Sequence, residues 1–338
     1  MKKVVITGER NAELVDCAEP VAKGNWVVVK VHVAPMCTEY TIFLDGDVSS
    51  WVGHEAVGEV VEVAQPGRVA VGDRVVAMPL TGCGVCALCV SGDYIHCQNA
   101  PGVEESTGSA EGVATMAHYL VKPDWLLLRV PDHISDERAG IYCCGLGPTM
   151  SALELMNITA YETVLITGLG PVGLGGVVNA KFRGSRVIGV ESAPWRVELA
   201  LKMGAEAVID PSDSDALEQI VALTDGVGVD CAIDCSGTVA AERMCIDAVR
   251  IKGRVAFVGE CGQELSVVAS SDFIRKGLTI YGSWHYNLNL FPKIMHVIEN
   301  SPLTSLLSSH TFPMSGIQQA FELQTTRQSA KVLLRPWE

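Results

Sequence analysis

Short β-type runs cut off by Gly and Pro dominate the chain to about residue 145: Trp26–Val33, Gly58–Ala64, Arg74–Met78, Tyr119–Val121 and Leu126–Val130. Their spacing predicts a partly closed antiparallel barrel or sandwich. From about residue 150 the period changes, and strand-like runs alternate with helical ones. Thr163–Thr167, Val187–Val190, Ala207–Ile209, Val229–Ile233, Val255–Val258 and Thr279–Tyr281 read as buried strands. Val172–Phe182 and Ala193–Met203 read as helices, the second ended by Gly204. That alternation implies a parallel sheet with helices on both faces. The tail predicts a helix over Phe291–Asn300, a short run His310–Pro313, a helix over Met314–Thr325 and a closing strand Ala330–Leu334.

Length and composition fit this division. The 338 residues suggest about two domains, and 48% hydrophobic with 19% charged residues supplies apolar material for two cores. We expect one domain from 1–147 together with 289–338, and a second from 148–288. A net charge of −14 argues against a nucleic-acid backbone or an anionic membrane surface as partner. The start, Met1-Lys2-Lys3-Val4-Val5-Ile6, lacks the apolar core of a secretion signal, and no apolar run reaches the ~18 residues of a membrane span. A cytoplasmic location is expected, and there twelve cysteines point to thiolate ligands rather than disulfides.

Four of those cysteines carry the most specific signal. Cys83, Cys86, Cys89 and Cys97 fall within a Gly-punctuated stretch, and four thiolates in one tight loop match the all-sulfur shell of a structural zinc. A second motif, Gly168-Leu169-Gly170-Pro171-Val172-Gly173, follows an apolar run and opens a helix. In that context Gly168 permits the turn, Gly170 admits a pyrophosphate and Gly173 lets helix and strand pack closely. Glu191, at the end of the next strand, is placed to accept from a ribose 2′-hydroxyl, which favours NAD over NADP. Arg196 nearby either accommodates a 2′-phosphate or lies on a helix face beside the adenosine.

These features, with Gly53-His54-Glu55 and an earlier Cys37, resemble the zinc-dependent medium-chain alcohol and polyol dehydrogenases. The resemblance covers essentially the whole chain, including Asp234-Cys235-Ser236-Gly237 and Lys331-Val332-Leu333-Leu334. It implies a GroES-like β-barrel catalytic domain joined to a Rossmann nucleotide-binding domain, two zinc ions per subunit, NAD as cofactor, and a homodimer or homotetramer. It also implies that Cys37, His54 and Cys144 hold a catalytic zinc, with Cys144 rather than its neighbour Cys143 as third ligand. Such an ion keeps one position open and acts on a substrate hydroxyl as a Lewis acid, while the nicotinamide takes the hydride. Glu55 either orients the ligands or exchanges as a transient fourth one; a carboxylate that only caps a backbone N–H is the alternative. Val258 and Lys331 are implied beside the cofactor, Lys331 at its pyrophosphate or else simply solvated.

The chain departs from that family after its first ligand. Cys37-Thr38-Glu39-Tyr40 stands where the family reads C-G-T/S-D or C-R-S-D, so Thr38, Glu39 and Tyr40 are all candidates for the proton path, with Glu39 preferred. The short segment bearing Asp45, Asp47 and Trp51 is expected to shape the substrate pocket, and Trp284 and His285 to line the cleft or an interface. The reading is an NAD- and zinc-dependent oxidoreductase acting on a secondary alcohol, a polyol or sugar-derived alcohol being favoured. A zinc-free enone or quinone reductase and an inactive NAD-binding regulatory protein are the alternatives.

Overall fold

The computed structural model describes residues Met1–Glu338, which divide into two compact units: Met1–Cys144 with Asn287–Glu299 and Ser308–Glu338, and Gly145–Tyr286 with Asn300–Leu307. The first unit is built on a seven-stranded sheet. Its path runs Ser308–Pro313, Lys331–Arg335, Trp26–Pro35, Ala56–Val63, Arg74–Ala77, Leu127–Arg129, and Tyr119–Pro123 also pairs with Trp26–Pro35. All pairings are antiparallel except that between the last two strands of the chain.

The longest strand, Trp26–Pro35, is Val-rich and buried on nearly every residue because neighbours cover both its faces. Val27, Val29 and Val31 enter the main core with Val4, Ile6, Phe43, Met116, Leu120 and Phe321, whereas Val28 joins a smaller cluster with Trp26 and Val121. Alternation of period two thus sorts one strand between two cores. The N-terminal run Lys2–Gly8 reads as strand-like in sequence, but its partner strand Asn11–Asp16 and the helix Glu39–Asp45 were not among the sequence-based expectations.

The second unit carries six parallel strands in the spatial order Ala207–Ile209, Arg186–Val190, Thr163–Thr167, Val229–Asp234, Val249–Phe257, Thr279–Gly282. Counted along the chain this is the doubly wound order 3-2-1-4-5-6, whose switch point falls between Thr163–Thr167 and Val229–Asp234. No helix is long and apolar enough to cross a membrane.

Candidate metal centres and nucleotide loop

The four-cysteine loop closes on itself. The Cys83–Cys89 and Cys86–Cys97 sulfurs are each 3.9 Å apart, and all four sulfurs lie within 4.8 Å of one another. Tetrahedral zinc–thiolate bonds hold sulfurs roughly 3.8 Å apart, so the set fits that ion without rearrangement. The backbone N–H of Cys83 donates to the Cys97 sulfur and that of Cys86 to the Cys83 sulfur, each at 3.3 Å. Donation from the backbone at Val85 and Cys86 brings the Cys83 thiol down to about 6, and burial pushes Cys89 up to about 12. Gly84 turns the loop with φ +75°, and a Cβ there would come within 3.3 Å of the Trp125 indole nitrogen.

A second cluster assembles from three segments distant in sequence. The ligand atoms of Cys37, His54, Glu55 and Cys144 all lie within 4.8 Å of one another, and Cys143 is not among them. Cys37 ends the loop after strand Trp26–Pro35, which the Met36 N–H pins by donating to the carbonyl of Val332. His54 and Glu55 precede strand Ala56–Val63. Cys144 follows a sharp break at Cys143, whose ψ of −134° interrupts the helical path and separates the two thiols.

Glu39 fixes which ring nitrogen faces the cluster. Its Oε1 lies 2.7 Å from His54 Nδ1, and its Oε2 accepts from the Cys37 N–H at 2.8 Å. Nδ1 is therefore tied to a carboxylate, and Nε2, 3.3 Å from the Cys144 sulfur, is left to face a metal. Zinc would hold that nitrogen and sulfur roughly 3.6 Å apart, so two sulfurs and one imidazole nitrogen suit it here as well.

Charge is strongly coupled among these groups. Hydrogen bonding from Cys144, helped by Lys331 and His54, holds the Cys37 thiol well below its usual range, and the same bond together with burial pushes Cys144 up. Burial opposes charge on His54, yet Glu39 and Cys37 raise it well above an ordinary imidazole. Burial lifts Glu55 to about 8 even though Lys331 acts in the opposite sense.

The structure places two predicted residues differently from expectation. Glu39, preferred as an outward proton carrier, is only 6% exposed and committed to His54 and the Cys37 peptide, because the helix starting at Glu39 turns its carboxylate back toward the cluster. Lys331, expected at a pyrophosphate or in solvent, is completely buried, and its ammonium donates to Glu55 Oε1 at 2.5 Å. Strand Lys331–Arg335 pairs with Ala34 and Pro35 and so carries Lys331 alongside Cys37 rather than to the surface. Thr38 is exposed at the N-cap of the helix and makes no side-chain cap bond; Tyr40 packs partly against the barrel core.

Glu55 does more than one job: its Oε2 accepts from the Cys144 N–H at 3.0 Å while Oε1 takes Lys331. Gln324, which the sequence reading missed, is buried and donates to the Cys37 carbonyl at 3.2 Å. Glu39 and Gln324 thus grip the two sides of the first ligand's backbone. Gln324 has no motif, and only its place in three dimensions identifies it.

In the second unit the glycine loop is sterically constrained. A Cβ on Gly168 (φ +77°) would meet Ser236 at 2.7 Å, and one on Gly173 would sit 2.0 Å from the Gly168 carbonyl oxygen. Gly170 has open space apart from the Arg196 guanidinium at 3.7 Å, and it caps the twelve-residue helix Pro171–Phe182. Glu191 accepts from the N–H groups of Leu169, Ser192 and Ala193, tying the loop to the next strand, while Arg196 stands 3.9 Å from it. A carboxylate has about four acceptor positions, so roughly one remains for a ribose hydroxyl, and the loop fits a dinucleotide. Val258 follows strand Val249–Phe257 and donates to the Asp234 carbonyl. Trp284 and His285 belong to this unit, with ring centroids 5.2 Å apart.

Comparison with known proteins finds similarity along essentially the whole chain. Residues 23–132 match the alcohol dehydrogenase GroES-like domain, and residues 171–300 match the zinc-binding dehydrogenase family. The chain is 31% identical to an erythritol/L-threitol dehydrogenase of Mycolicibacterium smegmatis over 99% of this chain and 98% of the relative. It is 32% identical to an L-threonine 3-dehydrogenase of Shewanella baltica over 97% of each. Among solved structures, an alcohol dehydrogenase from Thermus sp. ATN1 superposes with a TM-score of 0.91 at 23% identity, covering 99% of both chains. The 2R,3R-butanediol dehydrogenase of Bacillus subtilis gives 0.85 at 24% identity, again over 99% of both. The expected two-part fold of a GroES-like domain and a Rossmann sheet is therefore present. The chain is an oxidoreductase acting on CH–OH groups and belongs to the zinc-dependent medium-chain alcohol and polyol dehydrogenase family.

Proposed function

We propose that this enzyme oxidises a small polyol, or another secondary alcohol with a heteroatom on the adjacent carbon, using NAD. Its domains are taken as 1–147 with 289–338, and 148–288, although Asn300–Leu307 packs with the second compact unit. Cys37, His54 and Cys144 hold the catalytic zinc, and Cys83, Cys86, Cys89 and Cys97 the structural one. The observation that carries this reading is the clamp of Glu39 on His54 Nδ1, which presents Nε2 to two cysteine sulfurs. When bound, zinc lowers the pKa of a substrate hydroxyl and NAD accepts the hydride.

The chain's own groups do the rest. Glu39 and Gln324 keep the Cys37 peptide in place, and Glu55 holds the Cys144 N–H. Lys331 balances the carboxylate of Glu55 and the charge of the thiolates. Thr38, exposed one residue beyond Cys37, is the group left to pass a proton to water. Glu191 keeps one acceptor position for the ribose and fixes the loop that receives the pyrophosphate. The substrate class rests on relatives named for erythritol, L-threitol and L-threonine, which share a hydroxyl beside a heteroatom-bearing carbon.

A homo-oligomer completes the reading. Thr279–Gly282 is an edge strand, and Val268 and Ile274 just before it are 60% and 77% exposed. Pairing of two copies along that edge would cover both. The test is metal analysis of the purified protein, then a panel of tetritols, diols, simple alcohols and L-threonine with NAD or NADP, followed by NADH absorbance. About two zincs per subunit and turnover of a vicinal alcohol with NAD is the expected result. One zinc, or better kcat/KM with NADP, would overturn it.

A further inference from the structure

The glycine turn after strand Thr163–Thr167 has a carboxylate on each side. Glu191 holds it from the side of strand Arg186–Val190, through the N–H of Leu169. Asp234 stands on the other side, the last residue of strand Val229–Asp234 and the register partner of Thr167 across the switch point. It is completely buried.

The donors to Asp234 show what it joins. Its Oδ1 accepts from the Thr167 hydroxyl at 2.8 Å, from the Ser236 hydroxyl at 2.8 Å and from the Ser236 N–H at 3.1 Å. Its Oδ2 accepts from the Gly237 N–H at 3.0 Å. The Asp234 carbonyl accepts from the N–H groups of Val258 and Gly259 at 2.9 and 3.0 Å. One residue thus ties together the carboxyl ends of three neighbouring strands, Thr163–Thr167, Val229–Asp234 and Val249–Phe257. Four uncharged donors fill the roughly four acceptor positions of the carboxylate, so Asp234, unlike Glu191, keeps none for a ligand.

The turns that follow these strands meet backbone to backbone. A Cβ on Gly168 would lie 2.7 Å from the Ser236 Cβ. One on Gly259 would lie 2.3 Å from the Gly237 nitrogen and 3.0 Å from Asp234 Oδ2. The carboxylate is the common anchor of this contact, at the crevice where a doubly wound sheet receives a dinucleotide. Strands on the Glu191 side serve the adenosine half, which leaves the Asp234 side to the nicotinamide half.

We propose that Asp234 is a positioning residue for the nicotinamide half of the dinucleotide. It touches no ligand; it fixes the Ser236–Gly237 and Val258–Gly259 turns against Gly168, and these form the floor on which that half lies. A floor already ordered spares the ligand the cost of ordering it. The inference rests on the reading of the glycine loop as a NAD site.

The experiment uses the full-length, zinc-loaded protein and the variant Asp234→Asn. An amide sets its own N–H groups against Thr167 and Ser236 or against Gly237, so the clasp opens on one side. Calorimetric titrations with NADH and with AMP, which lacks the nicotinamide half, are run beside thermal unfolding. The dissociation constant for NADH should rise about tenfold or more, and that for AMP should stay within about twofold, because Glu191 is untouched. A purely structural Asp234 would lower Tm and leave the ratio of the two constants at its wild-type value, and that result would overturn the proposal. Should Asp234→Asn not fold, Ser236→Ala removes a single donor at an exposed residue. The same ratio should then move roughly threefold, and an unchanged ratio would overturn the proposal equally. Wild type that binds no NADH would sink the cofactor reading and this inference with it, whereas wild type that binds NADH beside a variant of unchanged ratio would sink this inference alone.

Discussion

Lys331 and Glu55, 276 residues apart in the chain, form an ion pair with neither side chain exposed, and it stands directly behind the Cys37–His54–Cys144 cluster. Burial alone would discharge either partner. Cys37 and Glu55 keep Lys331 charged above its ordinary range, and Lys331 limits the rise forced on Glu55. Removing one member leaves the other unpaired in the interior. Lys331→Met should therefore cost about 3–5 kcal/mol in chemical denaturation. Adding Glu55→Gln to it should recover part of that loss. A double variant as unstable as the sum of the two singles would show that the pair is not coupled.

Glu39→Gln tests the clamp on the histidine ring. An amide can still meet the Cys37 N–H or Nδ1 but lacks the charge that orients the ring, so zinc affinity or kcat should fall about 10–100-fold. Under the proposed role, in which the carboxylate sets ring geometry, the fall should be uniform across pH. Thr38→Val, by contrast, should lower kcat and leave zinc content unchanged. A displaced limb in the pH–rate profile of Glu39→Gln would return that residue to the proton path.

The four-cysteine loop should be separable from catalysis. Cys86→Ser removes one of four sulfurs, and zinc content should drop from about two to about one per subunit. Tm should fall with it, since the loop between Cys83 and Cys97 contains only the short helix Ala87–Ser91 and one 3₁₀ turn. Protein that survives at low temperature should keep the ion at Cys37, His54 and Cys144. Loss of both zincs from a folded variant would show that the two sites depend on each other.

Acid stability should depend on Asp136. Hydrogen bonding to His32, reinforced by Arg74, holds its carboxyl below the usual carboxylate range. A folded-state pKa below the unfolded one contributes stability that is complete above about pH 4 and disappears as pH falls through the folded value. Asp136→Asn should therefore unfold at lower denaturant than wild type near neutrality, and the two curves should converge in acid. Parallel curves at every pH would remove Asp136 from the acid response.

Much of this architecture was legible before any coordinates. The change from short Gly- and Pro-bounded strands to strand–helix alternation near residue 150 is a change of period, and period depends only on local order along the chain. The sulfurs of the four-cysteine loop and the glycines after Thr163–Thr167 lie so close in sequence that their spacing constrains their geometry. Cys37, His54 and Cys144 were reachable only through resemblance, because ligands 17 and 90 residues apart carry no spacing rule of their own.

Tertiary structure decided what the charged groups touch. Glu39 and Lys331 look like a solvent-facing acid and base in sequence, yet each is drawn inward by the backbone that precedes it. For Glu39 this is the helix start beside Cys37; for Lys331 it is a closing strand laid against Ala34 and Pro35. Gln324 carries no motif at all, and its role comes from the Cys37 carbonyl left within bonding distance once the barrel has closed. The sequence by itself determined period, turn positions and local ligand loops, whereas pairings across hundreds of residues were set by packing, which local order does not encode.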